Sequence, residues 1–117
     1  MMRLRLRVMV AGFNQAVAEY TLARLEISSA HPRIIAPPVV DRLGVQARPG
    51  DPGRVWRAAI AQVRVAQAYV RTGASAVARR HPAWARLTAA FGAAREYAAG
   101  IESLRAARTR SRRKRSK

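Results

Sequence analysis

The chain opens on a two-residue rhythm. From Arg3 to Val10 it reads Arg-Leu-Arg-Leu-Arg-Val-Met-Val, which predicts a strand with Arg3, Arg5 and Arg7 on one face and Leu4, Leu6 and Val8 on the other. The period then lengthens. A helix is predicted from Phe13 or Asn14 to Ser28, with Asn14 as its N-cap and Phe13, Val17, Tyr20 and Ile27 along one side. Leu22 and Leu25 point the other way, so this helix should be covered on both sides, by a sheet and either another helix or an external partner. His31-Pro32 stops it, because the residue before a proline is pushed out of the helical region.

Arg33 to Val40 carries a short β-branched run broken by Pro37 and Pro38, which predicts a short strand leading into a polyproline-like stretch. A turn-rich loop follows to Pro52, and Asp51-Pro52 has the form of a helix cap with proline in the first turn. From Arg54 to Thr72, helical spacing gathers Val55, Trp56, Ala59, Ile60, Val63 and Val70 on one arc and Arg54, Arg57, Arg64 and Arg71 opposite. Residues Gln62 to Val70 also alternate well enough for a competing strand reading, and Gly73 ends the element either way. After a short helical turn over Ala74 to Arg80, His81-Pro82 marks another boundary, and a long helix runs from Ala83 into the C-terminal tail. Its apolar seam is Trp84, Leu87, Phe91, Ala94, Ala98 and Ile101. Gly92 and Gly100 each weaken such a helix by about 1 kcal/mol relative to alanine, which points to close packing as their reason. The two late helices should pair as a hairpin. The expected fold is α+β but mainly helical: strand, helix and short strand, then a helical hairpin. It forms one small domain over residues 1–104, with a basic tail over 105–117.

Charge narrows the choice of partners. The 117 residues carry 23 basic and 6 acidic side chains, a net +17, and the isoelectric point is near 12.0. A balance of this kind marks a polyanion binder. All but Lys114 and Lys117 of the basic residues are arginines, whose planar guanidinium binds phosphate in a fork and also stacks on bases. The tail holds eight of the basic residues and no acid, leaving fifteen basic against six acidic residues before it. Three arginine sets are therefore candidate RNA contacts. They are Arg3, Arg5 and Arg7 on the first strand; Arg54, Arg57, Arg64 and Arg71 on the helix; and Arg105, Arg108, Arg110, Arg112, Arg113, Lys114, Arg115 and Lys117 in the tail. Taken alone, the tail should be solvated and disordered.

The inventory for catalysis is poor. There is no cysteine, which excludes disulfides, zinc knuckles and thiol chemistry. His31 and His81 each precede a proline and read as turn residues. Glu19, Glu26, Asp41, Asp51, Glu96 and Glu102 form no recognisable pair or ligand set. No enzymatic activity, cofactor, metal or small-molecule substrate is expected. No run of 18 apolar residues exists to span a membrane. The arginine-rich, acid-free opening has the composition of an organellar targeting segment, though it is expected to stay in the folded protein. Trp56, Trp84 and Phe91 belong to the apolar seams, and Tyr69, nearer the arginines, is the expected exposed aromatic, with Tyr97 the remaining candidate for base stacking.

Arg3 to Val10, the Phe13-Asn14 helix start and the segment Arg33-Ile34-Ile35-Ala36-Pro37-Pro38-Val39 together resemble the opening of the tenth small-subunit ribosomal protein family. The likeness covers about the first 40 residues. The family's glycine before the first proline and its further proline are absent here, and Arg54 to Arg105 lacks the family's later strand-helix-strand unit. The resemblance implies a ferredoxin-like sheet bound to ribosomal RNA in the small-subunit head, with Arg3, Arg5 and Arg7 on the first strand. The expected function is structural: an rRNA-binding component of a ribosome, in the mitochondrial matrix or in a bacterium with a GC-rich genome, beside neighbouring ribosomal proteins. The alternatives are an accessory subunit of an organellar membrane or enzyme complex and a DNA-compacting protein.

Overall fold

The computed structural model describes residues 2–43 and 53–115, and every regular element among them is helical. Helix α1 runs Met2–Ala30 and α2 runs Gly53–Ala68; a π-helical turn follows at Tyr69–Gly73, then α3 at Ala76–Arg80 and α4 at Trp84–Arg115. The main layer is an antiparallel pair of α1 and α4. Met9 lies against Gly100, Gly12 against Tyr97, and Glu26 against Arg86, so rising numbers on one helix meet falling numbers on the other. The expected hairpin of the two late helices is therefore replaced: α4 pairs chiefly with α1, and α2 makes the smaller contact.

The first predicted strand is helix. Alternation over eight residues cannot be told from a helix that is apolar on two sides, and here Leu6 joins the core beside Met9, Val10 and Phe13 while Leu4 and Val8 face outward. Arginine, leucine and methionine are good helix formers, and no second strand exists among the described residues to complete a ladder. The α+β class and the ferredoxin-like sheet implied by the family resemblance fall with that strand. Asn14 is accordingly mid-helix, and its side chain serves elsewhere.

The second predicted strand is an extended strap over residues 31–43. Its backbone polar groups are met by helix side chains instead of a neighbouring strand. The Tyr20 hydroxyl donates to the Pro38 carbonyl at 2.7 Å, Arg24 Nε to the Pro37 carbonyl at 2.6 Å, and the Tyr69 hydroxyl to the Ile35 carbonyl at 2.9 Å. Further along, the Leu43 N–H donates to Asn14 Oδ1 at 2.8 Å and the Asp41 N–H to Gln62 Oε1 at 2.7 Å. With Pro37 fully buried and unable to donate, side chains reaching from α1, α2 and the π turn are what satisfy the strap.

The helical seams read from spacing form the core. Phe13, Val17, Tyr20 and Ile27 of α1 and Leu87, Phe91, Ala94, Ala98 and Ile101 of α4 are buried in one cluster with Ala59 and Val63 of α2, and Trp84 lies partly buried against it. Burying each of the larger side chains contributes roughly 1.5–3 kcal/mol. Residues 62–70, where strand competed with helix, are helical, and α2 passes into the π turn before Gly73. His31 and His81, at the two proline boundaries, meet ring edge to face at 5.8 Å, and His81 Nδ1 accepts from the Ala83 N–H at 3.0 Å. They serve as turn residues, joining the end of α1 to the start of α4. The predicted Asp51-Pro52 cap lies outside the described residues. Residues 105–115, expected to be disordered in isolation, continue α4 without a break.

Candidate nucleic-acid interface

Several arginines are already committed to the fold. Arg79 donates from Nη2 to the carbonyls of Val70 and Arg71, both at 3.2 Å, and from Nε to that of Ala74 at 3.3 Å, so it caps the open end of the π turn. Its guanidinium also lies 5.5 Å from the centre of the Trp84 ring. Arg24 holds the strap. Arg86 grips Glu26 with both terminal nitrogens. That hydrogen-bonded guanidinium holds the Glu26 carboxyl below its ordinary range, and the carboxylate in turn raises Arg86. Arg95 lies beside the Phe91 ring at 6.0 Å.

The helix arginines stand apart from these. Arg57, Arg64 and Arg71 are exposed, opposite the Ala59 and Val63 side of α2 that enters the core. Arg57 and Arg64 are two helical turns apart, about 10 Å along the axis. Arg5 and Arg7 are exposed too, but a helix sets alternate residues about 200° apart, so the single arginine face expected of a strand is split between two sides of α1. Exposed Arg33, Arg42 and Arg80 were missed, because they sit on the strap and the short α3, where no periodicity groups them into a row.

At the C-terminal end seven of the eleven positions 105–115 are basic, all on the last turns of α4. Arg110 is exposed, and Arg105 is half-buried with an interaction of its own. Cations in the last turn complement the negative end of the helix dipole, which favours them by about 0.3–1 kcal/mol each at low ionic strength. The expectations for the side chains of Arg3, Arg54, Trp56, Arg108, Arg112, Arg113, Lys114, Arg115 and Lys117 fall outside the described residues.

The aromatic expectation is reversed. Tyr69 is buried, its hydroxyl spent on the strap and its acidity weakened by burial, while Tyr97 is the exposed ring, lying over Gly12. Proximity to arginines in sequence misled here: Tyr69 stands three residues after buried Ala66, and its hydroxyl reaches across to the strap. Among the described residues no group of three histidine, aspartate or glutamate side chains is placed to hold a metal ion, and no helix is long and apolar enough to cross a membrane. Compared with protein-family models, curated proteins and solved structures, the chain matches none.

Proposed function

We propose that this chain is a structural, non-catalytic component of a ribosome that binds RNA through backbone phosphates. The observation that carries the reading is the division of labour among its arginines: Arg24, Arg79 and Arg86 are bound internally, whereas Arg57 and Arg64 of α2 and Arg71 of the π turn that continues it are exposed with no acidic partner among the described residues. Solvent-facing guanidinium groups in excess, on a chain of net +17, bind polyanions by counterion release and do so largely without regard to sequence. The helical basic end supplies a second cluster that can lie along RNA as a rigid rod. The weight of arginine over lysine favours structured RNA, where stacking and forked phosphate contacts both count. A ribosome, of the mitochondrial matrix or of a GC-rich bacterium, is the assembly in which a small core and a large charge excess are complementary assets.

Sedimentation of the endogenous protein through a lysate gradient, with and without ribonuclease, tests this. Co-migration with a ribosomal subunit that collapses on ribonuclease treatment is the expected result. Migration in a ribonuclease-resistant protein complex or with membranes would overturn it in favour of an accessory subunit, and tighter binding to duplex DNA than to structured RNA would make the protein a DNA compactor.

A further inference from the structure

The basic end of α4 reaches beyond the helix it pairs with. Met9 lies against Gly100 and Gly12 against Tyr97, so the start of α1 at Met2 comes level with about residue 107 of α4. Ile101 and Leu104 are the last residues of α4 in or against the core among the described residues. The helix nevertheless continues to Arg115, and positions 108–115 form a rod about 12 Å long that stands clear of α1.

The charges of this rod are not gathered on one side. At about 100° per residue, the register sets positions 108, 112 and 115, all arginine, on one side, and positions 110, 113 and 114, two arginines and a lysine, on the opposite side. Positions 109 and 111, a threonine and a serine, fall between the two rows. A helix resting on a single ridge of phosphates uses one row and leaves the other in water. Two opposed rows match a polyanion present on both sides at once, which is what the two walls of a groove provide.

We propose, resting on the reading that this chain binds structured RNA, that the end of α4 enters the major groove of an RNA stem where a bulge or internal loop has widened it. The major groove of a regular A-form stem is too narrow for side chains to read, and a helix with its side chains is about 10–12 Å across. Unpaired nucleotides relax the stem and let the walls part. The row at positions 108, 112 and 115 then neutralises phosphates of one strand, and the row at 110, 113 and 114 those of the other. Five of these six residues are arginines, whose forked guanidinium suits phosphate better than a lysine ammonium does. Arg57, Arg64 and Arg71 remain exposed on the body for RNA outside the groove, so affinity for RNA and preference for a widened groove are separable.

The test uses the full chain and two RNA hairpins with equal numbers of phosphates, one with a fully paired stem and one with an internal loop, beside a DNA duplex of matched length. Filter-binding titrations across salt concentrations read both affinity and salt slope. The looped stem should bind about tenfold more tightly than the paired one at low salt. Arg108→Gln with Arg112→Gln and Arg115→Gln, or Arg110→Gln with Arg113→Gln and Lys114→Gln, should each abolish that preference and make the slope on the looped stem shallower by roughly 2–3. Ser111→Pro keeps every charge but breaks the rod, and should lose the preference while still binding the paired stem. The core ends before these positions, so the variants should keep the far-ultraviolet circular dichroism of the folded body. Equal binding to the two stems, a slope that responds to one row alone, or a preference that survives Ser111→Pro would overturn the groove placement and leave RNA binding standing. Failure to bind either stem, or tighter binding to the DNA duplex, would overturn both.

Discussion

A single methyl group probes how closely α1 and α4 approach. A Cβ built on Gly92 meets nothing within 4 Å, so Gly92→Ala should stabilise the fold by about 1 kcal/mol through helix propensity alone. A Cβ on Gly12 would clash with the far end of the exposed Tyr97 ring, which must swing aside, so Gly12→Ala should forfeit most of that gain. Urea denaturation of the two variants, repeated in a Tyr97→Ala background, checks the cause, since the deficit at Gly12 should vanish once the ring is gone. At Tyr20, burial pushes the phenol up to about 12 from its ordinary 10.0. The folded state keeps the proton where the unfolded chain releases it, so this stabilisation is whole below about pH 10 and is lost as pH rises toward 12. Helix content and phenolate absorbance should therefore change together in that alkaline window. Tyr20→Phe should cost about 1 kcal/mol at neutral pH through loss of the hydrogen bond to Pro38. Ionisation of Tyr20 at its ordinary value with the helices intact would contradict the buried environment.

At the scale of the element, the basic end of α4 is the part most at odds with itself. Positions 108 and 112, and 110 and 114, are like-charged neighbours on the helix, and each such pair opposes it by about 0.2–0.5 kcal/mol. The helix dipole offsets part of this cost. Helicity of the last three turns should then increase with ionic strength or on adding inorganic polyphosphate, measured by far-ultraviolet circular dichroism against a chain ending at residue 104, which should show no such change. A constant signal in both would mean that the basic end is held by something other than screened repulsion. The strap obeys a different logic, since its carbonyls and N–H groups depend on tyrosine, arginine, glutamine and asparagine side chains from the elements around it. Spacing alone cannot announce such a segment, because Tyr20 reads as part of an apolar seam, Asn14 as a cap, Tyr69 as an exposed ring and Arg24 and Gln62 as helix-surface residues.

The whole molecule is a rod of 56 × 22 × 19 Å, which spreads its charge along an axis instead of around a sphere. Replacing Arg57, Arg64 and Arg71 together by glutamine should weaken binding to structured RNA at low salt. It should also make the dependence of log K on log salt shallower by roughly 2–3, on the order of 0.7–0.9 for each phosphate that is no longer neutralised. A filter-binding titration across salt concentrations measures both. An unchanged slope would remove α2 from the interface and leave the α4 end as the binding element.

What the amino-acid sequence determined by itself was set by short-range chemistry: the helix stops at His31-Pro32 and His81-Pro82, the apolar seams of Phe13 to Ile27 and Leu87 to Ile101, and the excess of arginine over acidic residues. Only the tertiary structure decided whether Arg3 to Val10 was strand or helix, because alternating leucine and arginine suits both until α4 supplies a surface for Leu6 and Phe13 to enter. It likewise turned Tyr69 inward, gave Asn14 to the strap, and separated the arginines that hold the fold from those left on the surface. These depend on pairings between residues tens of positions apart, such as Tyr69 with Ile35 and Glu26 with Arg86, and a local pattern carries no record of which distant side chain will arrive.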